Sequence, residues 1–326
     1  MDKFKFVILG AGKIAHNFSD AIKLMEGCMV SGIASKSRDK ARLFAKEQGI
    51  EHYYDNYEVM LETEKPDCAY IATTPNFHYE LTMMCLRRRV PVICEKAMFL
   101  NSTDAKSAFD LSKELNVFCM EALWSRFLPA VNKTRSWLEE KKIGDVSYLD
   151  AKIGFIPQQD NNNRYFNPLL GGGAMYDITV YTDELITYLI PDSIRKIGIS
   201  ALWSKEGVDI EEHICFKYDK LIASMTTSFI TDLSDSLVLY GNKGKIVLPQ
   251  PHYAKRALLY DNNDILIEEY QDQKTVNGFV YEIQECINCI RKGRYASKIV
   301  PHSSTMQCSE LFDIIRSSRD LKTDCL

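Results

Sequence analysis

Several features that would assign a class at once are missing from this sequence. No apolar run approaches the roughly 20 residues of a membrane-spanning helix. There is no positive excess: 40 Lys and Arg stand against 44 Asp and Glu, a formal net charge of −4, so no global field recruits nucleic acid. The basic run Arg87-Arg88-Arg89 is short and reads as a solvated helix end. Neither an internal repeat nor a low-complexity linker is present. His78, His213 and the other histidines show no ligand spacing, so no metal is expected. Of the ten cysteines, Cys286 and Cys289 form a lone CxxC inside the helical pattern "YEIQECINCIRKG", and without a second ligand pair it reads as helix packing. Most of the others lie in apolar stretches (Cys68, Cys94, Cys119, Cys215), as suits a reducing compartment. The start, "MDKFKFVILGAG", is charged and then apolar, but the apolar part has only the length of a strand and runs into a glycine turn instead of a cleavage site. The expected location is the cytoplasm.

What is present is a chain of 326 residues, 46% hydrophobic, enough for two domains with cores of their own. The first part alternates strand and helix. "FKFVILG", "MVSGIAS", "DCAYIATT", "VPVICE" and "NVFCMEA" are strands. "KIAHNFSDAIKLM", "RDKARLFAKEQG" with Gly49 as its stop, "NFHYELTMMCLRRR" and "STDAKSAFDLSKEL" are helices, the last capped by Ser102 or Thr103. Such alternation calls for a parallel sheet covered on both faces. After about Trp124 the rhythm changes. A helix, a strand, the polar loop "PQQDNNNRYFNPLLGGG" and the helix "AMYDITVYTDELITYLI" lead into seven strands between Ile194 and Glu269. Gly241-Asn242-Lys243-Gly244 and Asp261-Asn262-Asn263-Asp264 are hairpin connections. This second domain is a mostly antiparallel sheet with a helix against it. Two helices close the chain, at about 277–292 and 303–320, and sequence alone does not place the last.

"VILGAGKIA" contains Gly10-Ala11-Gly12-Lys13-Ile14-Ala15, a G-x-G-x-x-A directly after the first strand and opening a helix. That context is what a dinucleotide fingerprint needs: Gly10 for the tight turn, Gly12 for approach of the pyrophosphate, Ala15 for helix–sheet packing, and the helix N-terminus beginning at Lys13 and Ile14 for the phosphates. The tip of the second strand selects the cofactor. Readers of NAD carry an acid there, whereas "IASKSRDKA" offers Ser35, Lys36, Ser37, Arg38 and Lys40, which suit the 2′-phosphate of NADP. The other reading is a Ser37 cap among solvated charges.

In an open parallel sheet, ligands bind beyond the carboxyl ends of the strands. Thr73, Thr74, Pro75, Asn76, Glu95 and Lys96 lie at such ends, so Lys96 falls near the nicotinamide. A surface ion pair between Glu95 and Lys96 is the bland alternative. Asp177 and Tyr181 are i and i+4 on one helix, hence on one face, after Gly171-Gly172-Gly173, whose missing side chains admit a ligand or backbone. Taken by themselves they read first as ordinary amphipathic residues.

"GAGKIA", "ATTPNFHYE", "CEKAM", "MEALWSRFLPA" and "GGGAMYDITVY", spread from residue 8 to about 190, together resemble the glucose–fructose oxidoreductase / inositol dehydrogenase / MocA (Gfo/Idh/MocA) family of NAD(P)-dependent oxidoreductases. Within it the chain is most similar to the dimeric dihydrodiol dehydrogenase branch. The resemblance implies an α/β fold: an N-terminal Rossmann dinucleotide-binding domain over 1–123 and a C-terminal α+β domain on a mostly antiparallel open sheet over 124–302, with the helix at about 303–320 a candidate to pack back on the first. It implies a homodimer or higher homo-oligomer through residues about 194–269. It places the family's catalytic lysine on Lys96, its aspartate on Asp177 and its second catalytic position on Tyr181. The proline that follows the family lysine is Ala97 here, so that restraint on the backbone is absent. His78, Glu95, Trp124 and Arg126 complete the set expected around the cofactor, His78 as a structural residue and not a catalyst.

The reaction so implied moves a hydride between nicotinamide and a secondary alcohol or carbonyl of a sugar, polyol or dihydrodiol. Tyr181 is the expected acid/base, Lys96 the cation that favours tyrosinate and the developing alkoxide, and Asp177 the group that orients substrate hydroxyls or Lys96. Lys96 as acid/base with Tyr181 only binding remains open. So do two other family roles: a non-catalytic, sugar-responsive NAD(P)-binding regulator and an NAD-dependent glycoside-cleaving enzyme. Trp124, Phe127, Tyr165 and Phe166 are candidates either for a pocket around a hydroxylated ring or for core.

Overall fold

A computed structural model describes residues 3–158 and 163–319, so Gln159–Asn162 of the polar loop lie outside the described residues. The chain falls into two compact units. The first runs to Trp124 and takes in Val276–Ser309; the second spans Ser125–Thr275 and continues from Glu310.

The first unit is built from β1 (Phe4–Leu9), α1 (Lys13–Lys23), β2 (Cys28–Ala34), α2 (Arg38–Gln48), β3 (His52–Tyr54), α3 (Tyr57–Glu64), β4 (Cys68–Ile71), α4 (His78–Arg87), β5 (Val92–Glu95), α5 (Ser102–Leu115) and β6 (Cys119–Ala122). The six strands pair in the order β3-β2-β1-β4-β5-β6, all parallel. β4, β5 and β6 are buried at every residue, as strands covered on both faces must be. The order reverses between β1 and β4, and that switch point is where a doubly wound sheet takes its ligand.

Three local differences from the sequence reading have physical causes. β3 and α3 fall in a stretch that shows no apolar alternation: β3 is an edge strand of three largely accessible residues, His-Tyr-Tyr, and α3 is set by Asn56, whose Oδ1 accepts from Glu58 N–H at 2.8 Å and Val59 N–H at 3.1 Å. α5 is capped by Asn101, not Ser102 or Thr103, because Asn101 Oδ1 takes the Asp104 N–H at 2.8 Å. The start of the fourth helix is a 3₁₀ turn, Pro75–Phe77, before α4 proper.

The second unit contains α6 (Pro129–Glu139), β7 (Val146–Gly154), α7 (Val180–Leu189), β8 (Lys196–Trp203), β9 (Asp209–Lys217), β10 (Ile222–Ser228), β11 (Ser236–Gly241), β12 (Gly244–Pro249), β13 (Arg256–Asp261) and β14 (Leu266–Gln271). All seven late strands and both hairpins read from the sequence form. The eight-stranded sheet has the order β14-β13-β12-β11-β7-β10-β9-β8 and is antiparallel except where β7 meets β10. Its inner face carries Leu149, Ala151, Ile214, Phe216, Ala223, Leu237, Leu239, Ile246 and Leu248, all fully buried.

The closing helices are α8 (Phe279–Arg291) and α9 (His302–Ser318). α8 belongs to the first unit. Its Cys286 sulfur lies 3.6 Å from that of Cys68, both buried and reduced, and Cys289 is buried as well, so the CxxC packs a helix. α9 is shared, its residues up to Ser309 counting with the first unit and the rest with the second.

Candidate active site

The glycine turn leaves β1 at the switch point. Gly10 has φ +109, and a side chain there would meet the Ala72 carbonyl oxygen at 2.7 Å, so both the backbone and the neighbouring β4 tip require glycine. Gly12 is different. A Cβ on it would find nothing nearer than the Ala72 oxygen at 3.6 Å, an ordinary contact. The protein itself tolerates a side chain at Gly12, and what gains from its absence is a group brought up to the start of α1. That start has Gly12 as N-cap, no capping side chain and no acid in its first turn, leaving its N–H groups and partial positive charge for an anion. Ala15 is fully buried against the sheet. The donor set fits a dinucleotide pyrophosphate.

At the tip of β2, Ser35 accepts from Ser37 N–H at 3.3 Å, and Ser37 caps α2 through Lys40 N–H at 3.4 Å. Lys36 extends its ammonium over the Phe77 ring, 3.9 Å from the centroid, and Arg38 stands exposed, 3.9 Å from Asp55. Two cations and two hydroxyls thus share the tip, and the only acid close to it in sequence, Asp39, is paired with Arg42 at 3.4 Å.

The tips of β4 and β5 are tied together. His78 is fully buried, with Nδ1 2.9 Å from the Ala97 oxygen and Nε2 3.1 Å from the Thr73 oxygen. Burial pulls its pKa down to about 4, so the ring is neutral and carries one N–H, which donates to one of the two carbonyls. It is a brace between the Thr73 turn and the segment after Lys96. In that turn Thr74 Oγ1 donates to Asn76 Oδ1 at 2.6 Å. From the other side Glu121 accepts from Met98 N–H at 2.8 Å and from the Thr305 hydroxyl at 2.7 Å. Lys96, half-buried, sits in this braced segment, and the Lys96–Ala97 peptide is cis.

Glu95 departs from the surface ion pair considered above. It is buried and accepts from the Tyr70 hydroxyl, and Tyr70 stacks on Phe18 with centroids 3.7 Å apart. Burial pushes the Glu95 carboxyl up to about 7. Trp124, also in the first unit, stacks on Phe279 of α8 at 5.4 Å. Arg126, the other residue of the expected cofactor set, belongs to the second unit and is 2% exposed. Its Nε is 2.7 Å from Glu184 Oε2, and a second nitrogen donates to the Glu184 carbonyl at 2.9 Å. A buried carboxylate on α7 holds the guanidinium.

Asp177 and Tyr181 share one element of the second unit, but its first part is not an α-helix. Met175–Thr179 is a π-turn that continues into α7, a form that recurs at functional sites. Both side chains are largely buried, at 8% exposure each, so neither is an ordinary solvated helix residue. The Gly171–Gly173 run is consumed by the protein: a side chain at Gly172 would meet the Arg164 oxygen at 2.7 Å, and one at Gly173 (φ +123) would strike the Asp209 carboxylate. Two residues that the sequence reading passed over belong here. Arg164, from the polar loop, donates to Asp177 Oδ1 at 2.9 Å. The His252 ring, in a 3₁₀ turn after β12, lies 5.2 Å from the Tyr181 ring. Only the polar and aromatic character of "NNNRYFNP" hinted at the first; nothing hinted at the second. Tyr165 and Phe166 pack on Phe229, at 5.3 and 6.1 Å, and Phe127 is buried.

Residues 4–123 match the oxidoreductase family with the NAD-binding Rossmann fold, and residues 131–247 match the GFO/IDH/MocA C-terminal domain. The chain belongs to the Gfo/Idh/MocA oxidoreductases. Trans-1,2-dihydrobenzene-1,2-diol dehydrogenase of Xenopus tropicalis is 26% identical over 325 residues, covering 95% of this chain and 96% of the relative. Among solved structures, a 3-ketoreductase from Actinomadura kijaniata in complex with NADP and TDP-benzene superposes with a TM-score of 0.86 at 18% identity, covering 97% of this chain and 98% of that one. Levoglucosan dehydrogenase in complex with NADH and levoglucosan gives 0.87 at 16% identity, covering 97% of each. This Gfo/Idh/MocA protein is an NAD(P)-dependent oxidoreductase acting on CH–OH groups.

Proposed function

We propose that the enzyme interconverts a secondary alcohol and a carbonyl on a hydroxylated ring, a trans-dihydrodiol or a sugar, with NADP(H) as the preferred cofactor, and that it works as a homodimer. The observation that carries the reading is the carboxyl edge of the six-stranded sheet. Gly10 and Gly12, the Thr73–Asn76 turn and Lys96 follow β1, β4 and β5, and the Lys96 segment is braced from two sides by His78 and Glu121. The dinucleotide, when bound, supplies the hydride acceptor or donor.

The residues of this chain manage the proton and the charge. Tyr181 takes the proton of the substrate hydroxyl in oxidation and returns it to the carbonyl oxygen in reduction. Lys96 stabilises negative charge on that oxygen, and Asp177 orients neighbouring hydroxyls. The ion pair of Arg164 with Asp177 fixes the direction of that carboxylate. The absence of an acid at the β2 tip, with Lys36 and Arg38 in its place, supports NADP over NAD. The outer face of the second sheet, with Tyr148, Ile222 and Tyr240 exposed, supports the dimer.

Turnover of trans-dihydrodiols and sugars, followed at the reduced-nicotinamide absorbance, tests the reaction. Lys96→Met should lower kcat by roughly 10²–10³, with cofactor affinity and melting temperature little changed. Tyr181→Phe should also lower kcat, and the double variant should lose less than the two single losses combined. Full turnover by Lys96→Met on a good substrate would remove Lys96 from the mechanism. Lys36→Glu should weaken NADP relative to NAD, and equal affinities of the wild type for both, measured by cofactor fluorescence, would remove the NADP preference.

A further inference from the structure

The π-turn rests on two buried acids that the mechanism does not use. Asp209, the first residue of β9, is fully buried, and its Oδ2 accepts from Met175 N–H, the first residue of the turn, at 2.6 Å. Glu212, three residues further on and beyond the break in register where β9 pairs with Leu202 and Trp203, is 1% exposed. Its Oε2 accepts from the hydroxyl of Thr179, the last residue of the turn, and from that of Thr227 on β10 at 3.2 Å. The two threonine hydroxyls lie 2.7 Å apart. One oxygen of each acid, Asp209 Oδ1 and Glu212 Oε1, receives no N–H or hydroxyl. The two carboxyl groups are near enough for the Asp209 charge to push the Glu212 carboxyl up. Two facing carboxylates without a proton between them repel; one shared proton satisfies both orphaned oxygens. Burial favours that proton, pushing Asp209 up to about 6 and Glu212 well above the carboxylate range. Gly173 leaves room for the Asp209 carboxylate, which accounts for the glycine at that position.

We propose that Asp209 and Glu212 are positioning residues of this enzyme: a buried acid pair that clamps both ends of the π-turn, Asp209 at the Met175 N–H and Glu212 at the Thr179 hydroxyl, so that Asp177 and Tyr181 are presented in one fixed orientation. This rests on the roles given to Tyr181 and Asp177 above. The clamp acts through the turn and touches no substrate. A π-turn has wider, less regular hydrogen bonding than an α-helix, so side-chain anchors at its two ends decide its geometry. A displacement of about 1 Å at a reacting group can cost on the order of 10²-fold in rate.

Two variants at one position separate the clamp from general stability. Glu212→Gln imitates the protonated acid: its amide N–H donates to Asp209 and its carbonyl accepts from Thr179 and Thr227. It should hold kcat within about threefold of the wild type. Glu212→Leu fills the same volume without either bond and should lower kcat by roughly 10–100-fold while the dissociation constant for NADP stays the same. The loss should shrink to near nothing in a Tyr181→Phe background, because a positioning effect disappears with the group it positions. Full kcat in Glu212→Leu, or a loss of equal size in Glu212→Leu with and without Tyr181, overturns the clamp and leaves the acid–base assignment standing. Full turnover in Tyr181→Phe overturns that assignment and the clamp with it. Should Glu212→Leu fail to fold, Thr179→Val decides: it keeps the volume and removes the hydroxyl by which Glu212 holds the end of the turn, and a kcat equal to the wild type's overturns the proposal.

Discussion

Glu95 shows how much a single side chain changes meaning once its surroundings are known. As one of two adjacent opposite charges after a β-branched strand, it allows two readings, a residue near the cofactor or a surface partner for Lys96. In the fold it faces inward and takes the Tyr70 hydroxyl. Its carboxyl is raised from 4.5 to about 7 by burial, so the folded protein binds a proton that the unfolded chain has already released. Stability from this group is therefore complete below about pH 4.5 and is lost as pH rises through about 7, a difference on the order of 3 kcal/mol. Glu95→Gln keeps an acceptor for Tyr70 and removes the ionisation. It should melt higher than the wild type at pH 8, with the gap closing toward pH 5; a gap that is the same at both pH values in thermal melts would contradict the assignment. Charged residues mislead a sequence reading for a simple reason: a charge implies solvent unless its partner is known, and the partners here are distant in sequence. Glu95 to Tyr70, Arg126 to Glu184 and Asp209 to Met175 are all contacts of this kind.

At the scale of elements, what was legible followed from local chemistry. The strand before Gly10, the hairpins at Gly241–Gly244 and Asp261–Asp264, and the helix stop at Gly49 (φ 71) each need a particular residue type in a particular place. β3 was not legible because an edge strand of three half-polar residues has no period to detect. The π-turn was not legible because its cause lies on β9. The turn after β1 yields the sharpest test. Gly12→Ala introduces a methyl group that the protein accommodates at 3.6 Å, so the cost in stability should stay near the ~1 kcal/mol of a poorer N-cap. Dinucleotide affinity should fall at least tenfold, because that methyl occupies the approach of the pyrophosphate. Gly10→Ala should do the reverse and cost folding first, since φ +109 and the Ala72 oxygen oppose it. Equal loss of affinity and melting temperature in both variants would refute the division of labour between the two glycines.

For the whole molecule, the outer face of the eight-stranded sheet decides the expected assembly. Tyr148, Ile222 and Tyr240 are exposed there on adjacent strands, with Val238 and Val247 beside them, and the Tyr148 and Tyr240 rings stack at 5.7 Å. A sheet face of this composition is suited to a second copy of itself, as a two-fold interface requires. Light scattering at micromolar concentration should give twice the mass of the chain, and Ile222→Asp should shift it toward the monomer with turnover per chain retained. A wild-type mass equal to one chain would exclude the dimer.

The parallel pairing of β7 with β10 has a consequence for how activity arises. Every other neighbour of β10 or β7 is antiparallel, and β8, β9 and β10 form a meander of short hairpins that must swing round to join β7. The polar loop, the π-turn and α7 are all threaded inside that long excursion. Loop closure on this scale is slow compared with hairpin formation. On refolding from denaturant, secondary structure and even dinucleotide binding by the first unit should therefore return before turnover does, because Tyr181 is the guest of the last strand pairing to close.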